Sequence, residues 1–350
     1  MRVLHINLAQ GWRGGERQTL LLMEGLRARG VDNALLTRDG AELAQRARSA
    51  GFSVRERGRL PALGGLTGHD VLHAHEARAV GLAVLGKPLH RRPVVGTRRV
   101  DNRPGSGWLT HFKYRHLDRV VAISEAVRRV LVEWDPALGP IPVIPSAVPI
   151  EMHPDPMRVA ALRERFRGHR VIGMVGALVT RNKDPLTLLE AFRVVARVRE
   201  DPVLVFVGDG PDRGALEAGI AASSLKHRIF VEGFQQDPWP YYAVMDLFAL
   251  ASRNEGLGTA ILDAFAAEVP VVACRAGGIP ELIGSDERGW LARPQDPEDL
   301  ARALLDALDH PGEAARRAQG ASGYLRQRHS VEAMAAAYHA LYREVAAATD

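Results

Sequence analysis

The sequence predicts an α/β protein built from two doubly wound, Rossmann-like domains. Three observations carry this. Short apolar runs alternate with amphipathic segments along the whole chain, which is the pattern of βα units and parallel sheets. Several runs, "VLVFVG" and "PVVAC" among them, are apolar almost without interruption, as strands covered on both faces must be. The chain has 350 residues, more than one ordinary core accommodates. It is broken near residues 145–157 by "PSAVPIEMHPDPM", which holds four prolines, shows no period and reads as a linker.

"RVLHINLA" (2–9) opens the first domain as a strand. A helix follows from about Glu16, with Leu20, Met23 and Leu26 on one face and Gly30 as its stop. "NALLT", "SVRER", "DVLHAH", "PVVGT", "RVVAIS" and "PVIPSAV" are the further strands, with "EAVRRVLVEW" (125–134) a helix between the last two. The second half repeats the scheme more clearly: "VIGMV", "VLVFVG", "IFVEG", "LFALA", "PVVAC" and "WLA" alternate with helical segments. These boundaries predict one domain over residues 1–152 and a second over 153–330. No short-period repeat or low-complexity tract is present. Two such domains are expected to face each other across a cleft, with ligands at the carboxyl ends of the strands.

Composition narrows the class. A hydrophobic content of 46% with 25% charged residues reads as soluble and globular. No apolar run approaches the ~18 residues of a membrane-spanning helix, and "MRVLHINLAQGWRGG" lacks the long apolar centre of a signal peptide. The single cysteine, Cys274, has no partner for an internal disulfide, so a reducing cytoplasm is the expected compartment. The formal net charge is +5 and unevenly spread. Residues 1–150 hold 23 Lys and Arg against 13 Asp and Glu, a balance of +10; residues 151–350 hold 23 against 28, a balance of −5. A basic half suits nucleic acid, an anionic lipid surface or an anionic acceptor, or simply reflects an Arg-rich composition. Aromatic residues make up only 6% and do not interleave a basic stretch, so stacking on nucleic-acid bases is not expected.

The most informative stretch is "ASRNEGLGTAILDAFAAEVPVVACRAGGIPELI" (251–283). It reads as the end of a strand, a glycine-rich loop and a helix with Ile261, Leu262 and Phe265 facing inward. Gly256 and Gly258 leave backbone N–H groups open at the helix start, where partial positive charge favours phosphate. Glu255 beside an anion site would repel phosphate, and so suits neutral hydroxyls; Asp263, two turns into the helix, suits a vicinal diol such as ribose. Together these features ask for a ligand carrying hydroxyls, a diphosphate and more hydroxyls, that is, a nucleotide sugar. Taken singly, Glu255 is also readable as a loop acid and Asp263 as a helix-surface acid. "RAGGIPELI" offers a second glycine-opened helix start. Lys183, in the loop after "VIGMV", is placed to neutralise diphosphate, and Phe234, after "VEG", to border a base.

With these motifs in place, the segment 171–283 resembles the retaining glycosyltransferases of the GT-B fold, family 4. There, an "EG" with a carboxylate eight residues on, followed by "GGxPE", marks the donor site. "GGER" (14–17) and "VVAISEAVRR" (120–129) extend the resemblance over most of the chain. It implies that Glu255 stands near the donor sugar, that Asp263 binds ribose and that Lys183 sits on the donor phosphates. Leu257, Gly258 and Thr259 would supply backbone near those phosphates, and Gly15 would be the glycine of the N-terminal loop that approaches donor and acceptor. It also implies that the last helix, "VEAMAAAYHALYREV" (331–345), crosses back onto the first domain, which would then comprise residues 1–152 and 331–350. The chain departs from the family at three points. Asp263 stands where Glu is usual, Ala177 where an Arg is common, with Arg181 a substitute, and Arg98 and Arg99 where a His often follows the "VVxT" strand. His75, in "LHAHEARA", is another candidate for that place. Glu255, Lys183, His75 and Arg99 are therefore the catalytic candidates, and Gly15, Arg181, Phe234, Gly256, Leu257, Gly258, Thr259 and Asp263 the donor-binding ones.

No Asp-x-Asp pair lies in a suitable loop to hold a divalent ion, so metal-free transfer is expected. The leaving group would be stabilised by Lys183, an Arg and helix N-termini. A UDP- or GDP-sugar is then a co-substrate, and no cofactor is implied. The family implies front-face attack by an acceptor hydroxyl on a glycan or lipid-linked acceptor, as in lipopolysaccharide or polysaccharide synthesis, by a cytoplasmic enzyme peripheral on the inner face of the membrane. The rivals are a nucleotide-sugar 2-epimerase of the same fold and a non-catalytic nucleotide-sugar or nucleic-acid binding protein. A dehydrogenase is excluded because "GWRGGE" lacks the G-x-G-x-x-G spacing.

Overall fold

A computed structural model describes residues 1–57 and 66–348. The chain divides into two compact units, one formed by Met1–Val148 with His329–Asp350 and the other by Pro149–Arg328. Unit 1 contains β1 (Arg2–Asn7), β2 (Asp32–Arg38), β3 (Ser53–Arg57), β4 (Val71–Ala74), β5 (Val94–Arg98) and β6 (Arg119–Ala122). Unit 2 contains β7 (Arg170–Val175), β8 (Pro202–Val207), β9 (Ile229–Val231), β10 (Leu247–Leu250), β11 (Val271–Cys274) and β12 (Trp290–Ala292). Each set forms one sheet, in the order β3-β2-β1-β4-β5-β6 and β12-β11-β10-β7-β8-β9. All the pairings are parallel. Counted within its own unit, each sheet has the same doubly wound order, 3-2-1-4-5-6. The chain therefore reverses direction across each sheet once, between β1 and β4 and between β7 and β10, and such a reversal opens a crevice at the carboxyl ends of the strands.

The apolar runs form the strands because both faces of each sheet are covered. Every residue of β8 is buried, as are all but the first of β1. One expected strand is not formed. "PVIPSAV" makes only an isolated bridge, Ala122 with Val143; Pro142 and Pro145 have no N–H to donate to a ladder. The helix expected from about Glu16 spans Gly14–Ala28, and "EAVRRVLVEW" is the helix Glu125–Trp134, where the Ser124 hydroxyl accepts from the Val127 amide at 3.1 Å. Cys274 is buried at the end of β11, and that burial pushes its thiol up to about 12, which makes it a packing residue.

The last helix, Val331–Ala347, belongs to unit 1. Its Met334, Ala335, Tyr338, Leu341, Tyr342 and Val345 share one core with Val3, Leu22, Leu26, Val71, Val95 and Val121. It therefore covers one face of the unit 1 sheet. Two buried tyrosine hydroxyls come with it and must find partners. Tyr342 faces His73 Nδ1 at 2.6 Å and Tyr338 faces Thr97 Oγ1 at 2.8 Å.

The helix Gly14–Ala28 passes the last helix at Gly25. A Cβ there would lie 2.8 Å from Ala335 Cβ and 2.9 Å from Val331 Cγ1. In an exposed helix interior Gly→Ala gains about 1 kcal/mol, but overpacking a tight contact costs about 1–3 kcal/mol. Gly25→Ala is expected to lower the stability of unit 1 and loosen the last helix. Urea unfolding of the full chain checks this, and a raised midpoint would show that the two helices part without cost.

Candidate functional site

In unit 2, the loops that leave β7 and β10 flank the point of reversal. Three contacts tie them together. Asp184, fully buried and with φ at +48°, caps the helix Pro185–Val198 by accepting from the Thr187 amide at 3.3 Å and hydroxyl at 2.6 Å. Its Oδ2 also accepts from Arg253 Nε at 2.5 Å, across from the β10 loop. The Arg253 amide donates to the Asn182 carbonyl at 2.7 Å, and Asn254 Nδ2 to the Arg181 carbonyl at 3.2 Å. A buried charge of this kind is stable only when it is paired and hydrogen-bonded.

On this frame the Lys183 ammonium donates to Glu255 Oε2, with side chains 19% and 15% exposed. Lysine and glutamate at this depth keep a face toward solvent while satisfying each other, so a ligand can exchange with either partner. Ser252 Oγ reaches the same Glu255 oxygen at 3.4 Å. Gly258, at φ +97°, turns the chain into the helix Thr259–Ala266, a conformation that glycine adopts without strain. Leu257 is buried beneath the turn. Asp263 is buried on that helix and is not an ordinary surface acid. The neighbouring exit of β8 passes so close that a Cβ on Gly208 would lie 1.9 Å from the Gly176 carbonyl oxygen. The backbone, not side chains, lines that edge.

The second glycine-opened helix start is formed, as the helix Ile279–Ile283 with Gly278 at its N-cap. The Gly278 amide donates to the Glu255 carbonyl at 2.9 Å and so ties this turn to the Glu255 loop. Arg181 and Phe234 lie in loops at the carboxyl ends of β7 and β9, both exposed, Phe234 by 61%.

In unit 1 the structure brings His75, Arg99 and Gly15 together at the carboxyl end of the sheet. An Arg99 guanidinium nitrogen lies 3.2 Å from His75 Nδ1, and a Cβ on Gly15 would lie 3.8 Å from Arg99 Cδ. His75 Nε2 faces His5 Nδ1 at 2.9 Å. Both ring nitrogens of His75 are engaged, which leaves none to meet a substrate. Glu16 accepts from the Arg13 amide at 2.9 Å, and burial raises its pKa. Sequence reasoning missed Asp184, Arg253, His5, His73 and Asn33. One signal was present, since "LHAH" puts His73 and His75 two residues apart on a strand and so on one face.

Comparison with known proteins bears on family and fold. The family model described as "Glycosyltransferase Family 4" matches residues 12–152, and "Glycosyl transferases group 1" matches residues 169–310. The GDP-mannose-dependent alpha-(1-6)-phosphatidylinositol monomannoside mannosyltransferase of Mycolicibacterium smegmatis is 31% identical over 73% of this chain and 71% of its own length. The 2-deoxystreptamine glucosyltransferase of Streptomyces kanamyceticus is 32% identical over 55% of this chain, and the match spans about half, 51%, of that enzyme. Among solved structures, Anabaena HepE in complex with UDP-glucose superimposes with a TM-score of 0.86 at 20% identity, over 98% of this chain and all of that one.

The Asp184 tie sets the stability of the reversal point. Asp184→Ala removes a cap, leaves Arg253 unpaired and places alanine at positive φ, so a loss of about 3–5 kcal/mol is expected. Asp184→Asn keeps the cap and tolerates the backbone but gives up the ion pair with Arg253, and is expected to lose more than half as much. Denaturant unfolding of both variants checks this; a small loss in Asp184→Asn would mean that the cap and backbone, not the charge, hold the loops.

Proposed function

The chain belongs to glycosyltransferase family 4, and from that premise we propose that it moves a hexosyl group from a nucleotide sugar to a hydroxyl of a glycan or lipid-linked acceptor, with retention at the anomeric carbon. The observation that carries the proposal is the Lys183–Glu255 pair across the reversal point of the unit 2 sheet, where doubly wound sheets take their ligands. Lys183 turns to the donor diphosphate and stabilises the charge that builds on it as the glycosidic bond breaks. Glu255, released from Lys183, accepts hydrogen bonds from sugar hydroxyls. The first-turn amides of the helix Thr259–Ala266 favour the same anion, and Asp263 takes the ribose. Arg181 and Phe234 border the nucleotide. The acceptor hydroxyl attacks from the face that the phosphate leaves, and the departing phosphate oxygen takes its proton. The relatives support a nucleotide-sugar donor: one is a GDP-mannose-dependent enzyme, and one similar structure holds UDP-glucose. Unit 1 would then serve the acceptor, with Arg99 and Gly15 at the carboxyl end of its sheet.

A panel of UDP- and GDP-hexoses, assayed for transfer and titrated by calorimetry, tests this. Glu255→Gln is expected to lower kcat and kcat/KM together while leaving donor affinity nearly intact. Asp263→Ala is expected to weaken the bare nucleoside diphosphate by about 2–4 kcal/mol. Wild-type turnover in the first variant removes Glu255 from the chemistry, unchanged affinity in the second removes Asp263 from the ribose, and no hexose transfer from any donor overturns the reading.

The enzyme is proposed to work at an anionic membrane surface. Among the described residues no helix is long and apolar enough to cross a membrane. The basic run "HRRPVVGTRRVDNRP" does not form one patch. Arg91 and Arg92 precede β5 and are exposed, whereas Arg98 and Arg99 lie at its other end and bond within the chain, Arg98 to Asn102 and Tyr114 and Arg99 to His75. The feature that suits a bilayer is the helix Trp108–Arg115, which exposes Trp108 by 77%, with Leu109 and Phe112, beside Lys113. Aromatic and basic groups on one short helix fit an anionic interface. Sedimentation with phosphatidylglycerol vesicles is expected to capture the protein at low salt and to fall several-fold in Trp108→Ser with Phe112→Ser. Equal binding to neutral vesicles, or none, removes the membrane and leaves the transferase.

A further inference from the structure

Three histidines meet on one face of the unit 1 sheet. His5 on β1 and His73 on β4 are register partners, and His75 follows at the end of β4. All three are buried, and one ring nitrogen of each lies within 4.8 Å of the other two. That spacing resembles a metal centre. The hydrogen bonds around the rings point to another role.

Asn33 sets the direction. Its Nδ2 donates to the carbonyls of Met23 at 3.2 Å and Val31 at 3.0 Å, so its Oδ1 is the atom facing His5 Nε2 at 3.1 Å. A carbonyl oxygen only accepts, so His5 carries its hydrogen on Nε2. In the neutral ring, His5 Nδ1 is then an acceptor, and His75 Nε2, 2.9 Å away, must donate to it. His75 Nδ1 is left as an acceptor, and what faces it at 3.2 Å is the guanidinium of Arg99, which only donates. One pattern of hydrogens satisfies every bond that joins the four side chains, running from Arg99 through His75 and His5 to Asn33 and the backbone, while the buried Arg99 Nε stands outside it without a partner. A metal bound by His75 Nε2 would force the hydrogen of His75 onto Nδ1, donor against donor at Arg99. His73 stands aside from this chain, with its nitrogens on Tyr342 and Thr97.

Burial keeps the rings neutral. It lowers His5 to about 4, with Arg99 and His69 acting the same way and the Asn33 bond opposing. His75 is held well below its ordinary value by burial first, then by His73, His5 and Arg99. Tyr338 and Tyr342 on the last helix and Glu16 on the first are the other titratable groups felt by Arg99.

We infer that Asn33, His5 and His75 are positioning residues that hold the Arg99 guanidinium in one orientation through a one-way hydrogen-bond relay. Its kinetic consequence rests on the transferase reading above; the relay itself does not. Protonation of His75 ends it, because Nδ1 then donates toward Arg99 and the two cations repel.

Nitrogen NMR of the full chain with labelled histidine decides the relay. At pH 7, His5 and His75 are expected as neutral Nε2–H tautomers, unmoved by added zinc. In the transfer assay, His75→Leu is expected to lower kcat about 10- to 100-fold through misplacement of Arg99. His75→Gln is expected to recover most of that, since its amide accepts through Oε1 and donates through Nε2. Should the leucine variant not fold, Asn33→Asp serves instead: a carboxylate beside His5 favours the protonated ring, so the acid limb of kcat is expected to move to higher pH. An Nδ1–H tautomer on either ring, zinc-induced shifts of the three histidines, wild-type kcat in His75→Leu or an unmoved acid limb in Asn33→Asp would overturn the inference. If no nucleotide sugar is turned over, the transferase reading fails while the tautomers still decide the relay.

Discussion

Asp184 carries a carboxylate into the interior of unit 2, and the arrangement at the ends of β7 and β10 follows from where that charge finds its partners. A fully buried carboxylate needs a cation and several donors at once. Thr187 supplies two donors from the helix that Asp184 begins, and Arg253 supplies the cation from the other loop. Satisfying Asp184 therefore draws the two loops together. Lys183, the next residue back in the chain, and Glu255, two residues beyond Arg253, then stand opposite each other. Side chains are placed accurately when rigid neighbours hold them. For Lys183 and Glu255 the rigid neighbour is the Asp184–Arg253 ion pair.

Unit 1 meets the same requirement with neutral groups. The last helix brings two tyrosines onto a sheet face that already holds three histidines. Each hydroxyl and ring nitrogen named above meets a complementary atom. Charging any ring would cost the desolvation of a cation in an apolar setting. Arg99 is the one member that stays charged, and it lies at the edge of the network, at the carboxyl end of β5. The two units thus solve opposite problems, one placing a charge inside and the other keeping charge at the rim.

The unequal charge of the two halves reads differently once the fold is known. A run of arginines that is contiguous in sequence is split by β5, because a strand of five residues separates its ends by roughly 17 Å. Two of the arginines are then consumed by bonds inside unit 1. The surface that remains distinctive is set by helix geometry. Trp108 and Phe112 are four residues apart and so share a face of one helix, their rings 6.4 Å apart.

The sequence by itself determined the alternation of strands and helices, the positions of nearly all the strands, the inward face of the helix Thr259–Ala266 and the loop residues Lys183 and Glu255. Those signals are local: apolar periodicity, glycine before a helix, and charge next to glycine. The sequence misjudged "PVIPSAV", where apolar content outweighed two prolines with no donor for a ladder. It did not show that the Gly278 amide, at the start of the next helix, bonds to the Glu255 carbonyl. Only the tertiary structure decided the pairing of Lys183 with Glu255, the tie of Asp184 to Arg253 and the hydrogen pattern through Asn33, His5, His75 and Arg99. In each case the partners are separated by 24 to 72 residues of sequence. A local pattern states what each side chain can donate or accept, and only the parallel packing of distant strands states which atom it must meet.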